Sequence, residues 1–363
     1  MRIGILTPHY AYNYGAVLQA FALLHYLRSR GHEAQIINRR PPSLAAVPSR
    51  MGRWARALQE HTQGRNFVKN EAEHLQPQTV KIVVYNDLKL LEKYDFDAVV
   101  VGSDQVWRDD YAFNSFGYNM FLDFVDHRKV RKIAYAPSFG KNTWQQSEEV
   151  RRKVEELLKE FHAISVREES GVRICADIFG VEATHVLDPT LLLSAKDYMD
   201  EYHIGKNSRR EPYVVSYILD YDDEKKHTID TIAAHYGKPH VGIDISNYAG
   251  RLSKFVHRFY PTYPEVRTWI ENIAHADFVV TNSFHGMVFS IIFCKQFIVY
   301  GNRERGMERF HSLLKIFGLE RRLLDWHDNF REATDTAIDY RKVEPVIKEW
   351  QQKSYTFINE ALT

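Results

Sequence analysis

The stretch RIGILTPHYAYNYGAVLQAFALLHYLRSRGHEAQII, residues 2–37, decides the fold. Ile3 to Leu6 form an apolar run of strand length and Thr7 to Tyr14 a polar and aromatic loop. Val17, Ala20, Phe21, Leu24 and Leu27 then return at helical spacing. Gly31 stands where a helix closes on a left-handed residue, and Ala34 to Ile37 resumes an extended run. Strand, helix and strand in succession make a βαβ unit, the opening of a parallel sheet. Ala98 to Val101 and Ile133 to Ala136 predict further buried strands. Each ends at a polar loop, where parallel sheets carry their functional groups.

The pattern continues downstream. An amphipathic helix is predicted over Glu148 to Phe161, with strands at His162 to Val166 and from Gly180 toward Leu187. A first domain spanning 1–189 follows, interrupted at about 39–75 by an insertion that Pro41, Pro42 and Pro48 introduce. A second α/β unit begins at Tyr213 to Leu219 and runs through a helix to Ala234, then a strand at Phe278 to Thr281. A helix at Met287 to Phe293 and a strand at Phe297 to Tyr300 complete it. This unit spans 190–340, and a helical stretch at 341–363 is placed to cross back to the first domain. The expected fold class is α/β, with two doubly wound (Rossmann-like) domains whose strand-end loops face one cleft.

Composition narrows the function classes. A formal net charge of +1 lacks the basic excess of a nucleic-acid binder, so no nucleic acid is expected as partner. Cys175 and Cys294 sit in separate apolar settings without metal-ligand spacing, which reads as buried free thiols in a reducing compartment. The first apolar run breaks at Thr7-Pro8-His9, short of a signal peptide, and no run approaches the ~20 residues of a membrane span. A cytoplasmic location is the expectation. Charge is uneven only locally: residues 39–69 hold Arg39, Arg40, Arg50, Arg53, Arg56, Arg65 and Lys69 against Glu60 alone. With Trp54 and Leu58 four apart, this insertion reads in one of two ways. It makes a peripheral contact with an anionic leaflet at the inner face of the membrane, or it is a solvated loop facing acidic groups.

The string Asn282-Ser283-Phe284-His285-Gly286 follows the strand at Phe278 to Thr281 and opens a helix. A His at such a turn can present its ring to a cleft, Gly286 lets a ligand approach the main chain, and free N–H groups favour an anion. The same residues also read as a capped turn around a packed His.

Six strings in order resemble the polysaccharide pyruvyl transferase family: NYGAVLQAFAL (13–23), VVGSDQVW (100–107), APSFG (136–140), SVREESG (165–171), VLDPTLLL (186–193) and TNSFHGMVFSIIFCKQFIVY (281–300). The resemblance runs from near Ile3 to about Leu319. It implies a glycosyltransferase-B-like fold, phosphoenolpyruvate as donor, and a sugar with two suitably placed hydroxyls as acceptor. The product is a cyclic ketal in polysaccharide or cell-surface glycan synthesis, with phosphate released. That chemistry calls for no metal and no cofactor beyond phosphoenolpyruvate as co-substrate. The resemblance also implies that His285 is the general acid/base and that Arg167 binds the donor.

One departure stands out, because many members carry Arg-Leu-His where this chain has Ser283-Phe284-His285. The donor side of Ser283 and Phe284 thus lacks a guanidinium able to grip a carboxylate or phosphate bidentately. Arg305 and Arg309, after the next strand, are the candidates to replace it, the alternative being surface pairs with Glu304 and Glu308. The acceptor wall is expected from Asn13, Tyr14, Gly15, Gln19, Asp104, Gln105 and Trp107. Polar groups there suit sugar hydroxyls and Trp107 suits the C–H face of a sugar ring. Turn chemistry, capping and core packing are the competing explanations for these residues, and Asp188-Pro189 reads as a domain-boundary turn. The acceptor is a free or lipid-linked sugar. A nucleotide-sugar-dependent glycosyltransferase and a noncatalytic sugar-binding homologue are the rival functions for this architecture.

Overall fold

The computed structural model describes residues 1–10, 12–41, 64–205, 211–243, 263–301 and 306–363. In the first domain, β1 (Arg2–Leu6) leads through α1 (Tyr14–Ser29) to β2 (Glu33–Ile36), and α2 (Arg65–His74) precedes β3 (Ala98–Val101). Next come α3 (Asp109–Phe116), β4 (Arg131–Ala134), α4 (Glu148–Leu158), β5 (Ala163–Val166), α5 (Glu169–Phe179) and β6 (Thr184–His185). The six strands lie in the order β2-β1-β3-β4-β5-β6, all parallel. Alternation sorts their side chains: Ile3, Ile5, Val100 and Ile133 enter one core, while Leu6, Val99, Val101 and Ala134 enter a second on the other face. Both faces are therefore covered, as a parallel sheet requires.

The second domain repeats the plan after α6 (Ala195–Glu201). It holds β7 (Val214–Tyr217), α7 (Asp223–His235), β8 (His240–Gly242), α8 (Val266–His275), β9 (Phe278–Thr281) and α9 (Phe284–Ile292). Then follow β10 (Gln296–Tyr300), α10 (Glu308–Phe317), β11 (Leu323–Leu324) and α11 (Phe330–Thr334). Its parallel strands run in the order β11-β10-β9-β7-β8. The first-domain core that holds Ile3 also holds Val215, Trp269 and Phe289, so apolar packing is continuous between the domains. α1 lies at that seam and is apolar nearly all round, which is why most of it is buried. Its Tyr14 stacks on Trp269 at 5.1 Å.

The closing helix, α12 (Tyr340–Leu362), ties the halves together. Near its start the Tyr340 hydroxyl donates to the Lys295 carbonyl. Toward its end Tyr355 stacks on Tyr26 of α1 at 5.0 Å, and Ser354 Oγ accepts from Leu187 N at 3.0 Å. An aromatic pair of this kind adds about 0.5–1.5 kcal/mol beyond its buried area.

One expectation divides and another is corrected. Of the insertion's basic residues, Arg40 and Lys69 face acidic groups of the same chain, as one of its two readings has it, whereas Arg39 does not. Arg39 is buried, with Nε donating to Asn119 Oδ1 at 2.9 Å, and Arg40 pairs with Glu71. Lys69 pairs with Glu265 of the second domain at 3.0 Å. Arg50, Arg53, Trp54, Arg56 and Leu58 lie outside the described residues. Cys175 is buried, but Cys294 is exposed, because it follows the end of α9 with a left-handed φ of 54° that carries it out of the core. Among the described residues, no helix is long and apolar enough to cross a membrane.

Candidate active site

A cavity of about 690 Å³ opens between the two sheets at the ends of β1, β3 and β9. That volume is in the range of small-molecule sites, roughly 300–1,000 Å³. One wall comes from Asn282, Ser283, Phe284 and His285 with Arg309 of α10. The facing wall includes Tyr10, Asn13, Asp104, Gln105 and Phe116.

Ser283 is the N-cap of α9, its Oγ accepting from Gly286 N at 3.4 Å, and this turn sets His285 one residue inside the helix. His285 is 5 % exposed, and its buried Nε2 makes no hydrogen bond; it faces Asp188 Oδ2 at 3.6 Å. On the other side the ring rests against Gly15, where a Cβ would overlap the imidazole. Gly15 therefore serves the site by leaving room for His285. Gly286 has a different function from the expected one: a Cβ there would strike Thr281, so its smallness serves packing of α9 on β9 and not ligand approach.

Asp188, read from sequence as a turn, is that and more. One carboxylate oxygen accepts from Thr190 N at 3.0 Å and Thr190 Oγ1 at 2.7 Å, and the other takes Arg167 Nη1 at 2.6 Å. Burial would raise this carboxyl, but interaction with His285 and the Arg167 guanidinium outweighs burial and holds it well below the usual carboxylate range. Its signal was present in the VLDPTLLL string, where an acid follows an apolar run.

Arg167, expected against the donor, does not line the cavity. Its side chain is 1 % exposed and its donors are committed: Nη1 to Asp188, Nη2 to Asp104 Oδ1 at 3.3 Å and Nε to Glu168 Oε1 at 3.3 Å. Burial disfavours its charge, yet the three carboxylates keep it protonated. Its guanidinium stacks 4.9 Å from the centroid of Phe284, and the Arg309 guanidinium lies 5.3 Å from the same ring. Phe284 thus separates an inner cation from one that reaches the cavity. Arg309 is mostly buried, and burial followed by repulsion from Arg167 disfavours its charge, while Asp104 and Glu168 support it. Arg305 lies outside the described residues. Glu168 is buried with Oε2 unbonded, and burial raises its carboxyl toward the neutral form.

The acceptor expectations divide. Asn13, Asp104 and Gln105 line the cavity. Asn13 caps α1, accepting from Gly15 N at 2.8 Å, and Asp104 holds a left-handed φ of 64° that turns its carboxylate to Arg167. Tyr14, Gln19 and Trp107 do not reach the cavity. Tyr14 donates to the Pro264 carbonyl at 2.8 Å in the interdomain seam. Gln19 Nε2 donates to Thr7 Oγ1 at 2.7 Å while its Oε1 accepts from Ser103 N at 3.0 Å. Trp107 is fully buried, stacked on Phe121 at 5.5 Å, with Nε1 donating to the Met120 carbonyl at 2.8 Å. The aromatic faces on the cavity are instead Tyr10, Phe116 and Phe284, and no local pattern marks the first two.

The model of one protein family, polysaccharide pyruvyl transferase, matches residues 13–304. No curated protein matches the chain. Among solved structures, UDP-GlcNAc 2-epimerase from Neisseria meningitidis bound to UDP-GlcNAc aligns with a TM-score of 0.55 at 9% identity, over 100% of this chain and 99% of that one. UDP-GlcNAc 2-epimerase from Methanocaldococcus jannaschii aligns with 0.55 at 10% identity, over 93% of each chain. UDP-N-acetylglucosamine 2-epimerase from Rickettsia bellii gives 0.54 at 10% identity, over 99% and 96%. At such identities the likeness is one of fold, and the fold is glycosyltransferase-B-like.

Proposed function

The chain belongs to the polysaccharide pyruvyl transferase family, and from that premise we propose that it moves the pyruvyl group of phosphoenolpyruvate onto two hydroxyls of one sugar. A cyclic ketal closes and phosphate leaves. The observation that carries this reading is the shared wall on which His285, backed by Asp188, stands with Arg309. A fixed proton carrier and a cation for an anionic donor face the same space.

The methylene carbon of phosphoenolpyruvate takes a proton from His285 and becomes a methyl group, leaving the central carbon electrophilic. One sugar hydroxyl bonds to that carbon and gives up its proton. The carbon–oxygen bond to phosphate then breaks with its electron pair on phosphate. The second hydroxyl bonds to the same carbon and also gives up its proton. Of the two protons released, one replaces that consumed at the methylene and the other leaves with phosphate.

Imidazole suits the exchange because it takes and gives protons near neutrality, an effect contributing about 10²–10⁴-fold. With Nε2 turned to Asp188, His285 reaches the cavity from the wall it shares with Arg309. Asp188 orients the ring, as a carboxylate behind a catalytic His does without taking the proton. Arg309 holds the donor's carboxylate or phosphate. Arg167 is a positioning residue, acting through Asp188 and Asp104. No cofactor is assigned beyond phosphoenolpyruvate as co-substrate.

The test is incubation of the purified protein with phosphoenolpyruvate and a panel of free, nucleotide-linked and lipid-linked sugars. Phosphate release matched by a pyruvyl mass increment on a sugar supports the proposal. Cleavage of a nucleotide sugar with phosphoenolpyruvate left intact overturns it in favour of glycosyl transfer.

A further inference from the structure

Part of the cavity has a character that proton transfer and donor binding do not explain. Tyr10 and Phe116 meet there edge to face, their centroids 6.4 Å apart, and Met120 lines the cavity with them. Each ring has an arginine against it that does not line the cavity: Arg39 Cζ is 5.1 Å from the Phe116 centroid and Arg40 Cζ 5.2 Å from that of Tyr10. These arginines are themselves held. Arg39 donates to Asn119 and to the carbonyls of Arg40 and Val83, and Arg40 Nε donates to Asn38 Oδ1 at 2.7 Å while Nη2 pairs with Glu71. The rings are therefore braced from outside the cavity and present apolar surface inside it, an arrangement ordered before any ligand arrives.

We infer that Tyr10, Phe116 and Met120 form the seat of the acceptor's sugar ring, and this rests on the proposed pyruvyl transfer. A pyranose offers an apolar C–H face, which packs on the negative face of an aromatic ring, and hydroxyls on its edge, which do not. Laid on this seat, the ring turns two edge hydroxyls toward His285. The occupant is a sugar because the seat is continuous with the His285 wall, where two hydroxyls must be delivered, and because Asn13 and Gln105 line the same cavity as amide partners for the remaining hydroxyls. Phe116 and Tyr10 thereby take the function that sequence reasoning gave to Trp107, and Arg39 and Arg40 act through them.

Saturation-transfer NMR with methyl galactoside, glucoside and mannoside as probes tests the seat, alongside calorimetric titration of phosphoenolpyruvate. The wild type should saturate the C–H protons of one pyranoside face most strongly. Phe116→Ala should weaken pyranoside binding by about tenfold, equivalent to ~1.4 kcal/mol, and leave phosphoenolpyruvate binding unchanged. Phe116→Leu, which keeps apolar bulk without the flat ring, guards against a folding defect and should fall between the two. Unchanged pyranoside contacts in both variants, no contact with any pyranoside in the wild type, or displacement of the pyranosides by uridine would overturn the seat. Pyranoside binding that needs Phe116 in a protein that never binds phosphoenolpyruvate would support the seat and contradict the donor assignment instead.

Discussion

Gly15 and His285 are packed so closely that the imidazole occupies the space where a side chain at residue 15 would begin. Each is the second residue of its helix, α1 in the first domain and α9 in the second, so the contact joins the two walls of the cleft. Gly15→Ala should displace the ring and lower kcat by about 10²-fold or more, with helical content by circular dichroism retained. Gly205→Ala, where a Cβ meets open space, is the control and should leave turnover unchanged.

Asp188 carries both the orientation of His285 and the pairing of Arg167. Asp188→Asn keeps the shape and removes the charge. Turnover should fall by about 10²–10⁴-fold with little change in donor KM. Leaving Arg167 short of a buried partner should also lower stability, by about 3–5 kcal/mol if its charge stays buried. A stability loss with kcat intact would limit Asp188 to a structural part.

In the proposed function, Arg309 stands in for the guanidinium that Ser283 does not supply. Arg309→Ala should raise the donor KM by about tenfold or more, with Arg309→Lys recovering part of it because a point charge remains without bidentate geometry. Isothermal titration with phosphoenolpyruvate reads this directly. Equal donor affinity in wild type and Arg309→Ala would remove Arg309 from the site.

Stability should fall on mild acidification through His9, which is fully buried with Nδ1 donating to the Thr7 carbonyl at 3.0 Å. Burial, then the charge of Arg40, lowers its folded pKa to about 4. The unfolded chain titrates near 6.5, so below that value it binds a proton the folded state refuses. Stability is complete above about 6.5 and declines as pH falls toward about 4, with ~2 kcal/mol lost by pH 5. Denaturant unfolding at pH 7.5 and 5 measures the loss, and His9→Gln should remove the His9 share while leaving that of His185, whose pKa burial also lowers to about 4.

The sheets were legible because their strands are short buried runs such as Ala98 to Val101 and Phe278 to Thr281, and the site turn was legible because Ser283 and His285 open a helix at a strand end. Side-chain direction was not legible. Trp107 follows a functional strand, yet its ring turns away to Phe121 and Phe139, contacts set by chain folding and not by local pattern. Tyr10 and Phe116 lack any periodicity that marks them, and only folding brings residues 106 positions apart into contact. In the sequence, turn chemistry alone accounts for Asp188-Pro189. The turn to Thr190 uses one carboxylate oxygen and leaves the other for Arg167 and His285. The partners of Arg39 and Arg40, Asn119 and Glu71, lie 80 and 31 residues along the chain, beyond the reach of local pattern.

The proposed protonation of phosphoenolpyruvate at its methylene carbon by His285 is read by running the reaction in D2O. Imidazole protons exchange with solvent, so the ketal methyl group should carry one deuterium, seen by mass spectrometry and as a CH2D signal by NMR. His285→Gln should abolish both the deuterated product and phosphate release while remaining folded. A ketal methyl free of deuterium, or a His285→Gln variant that forms product at near the wild-type rate, would rule out proton delivery by His285.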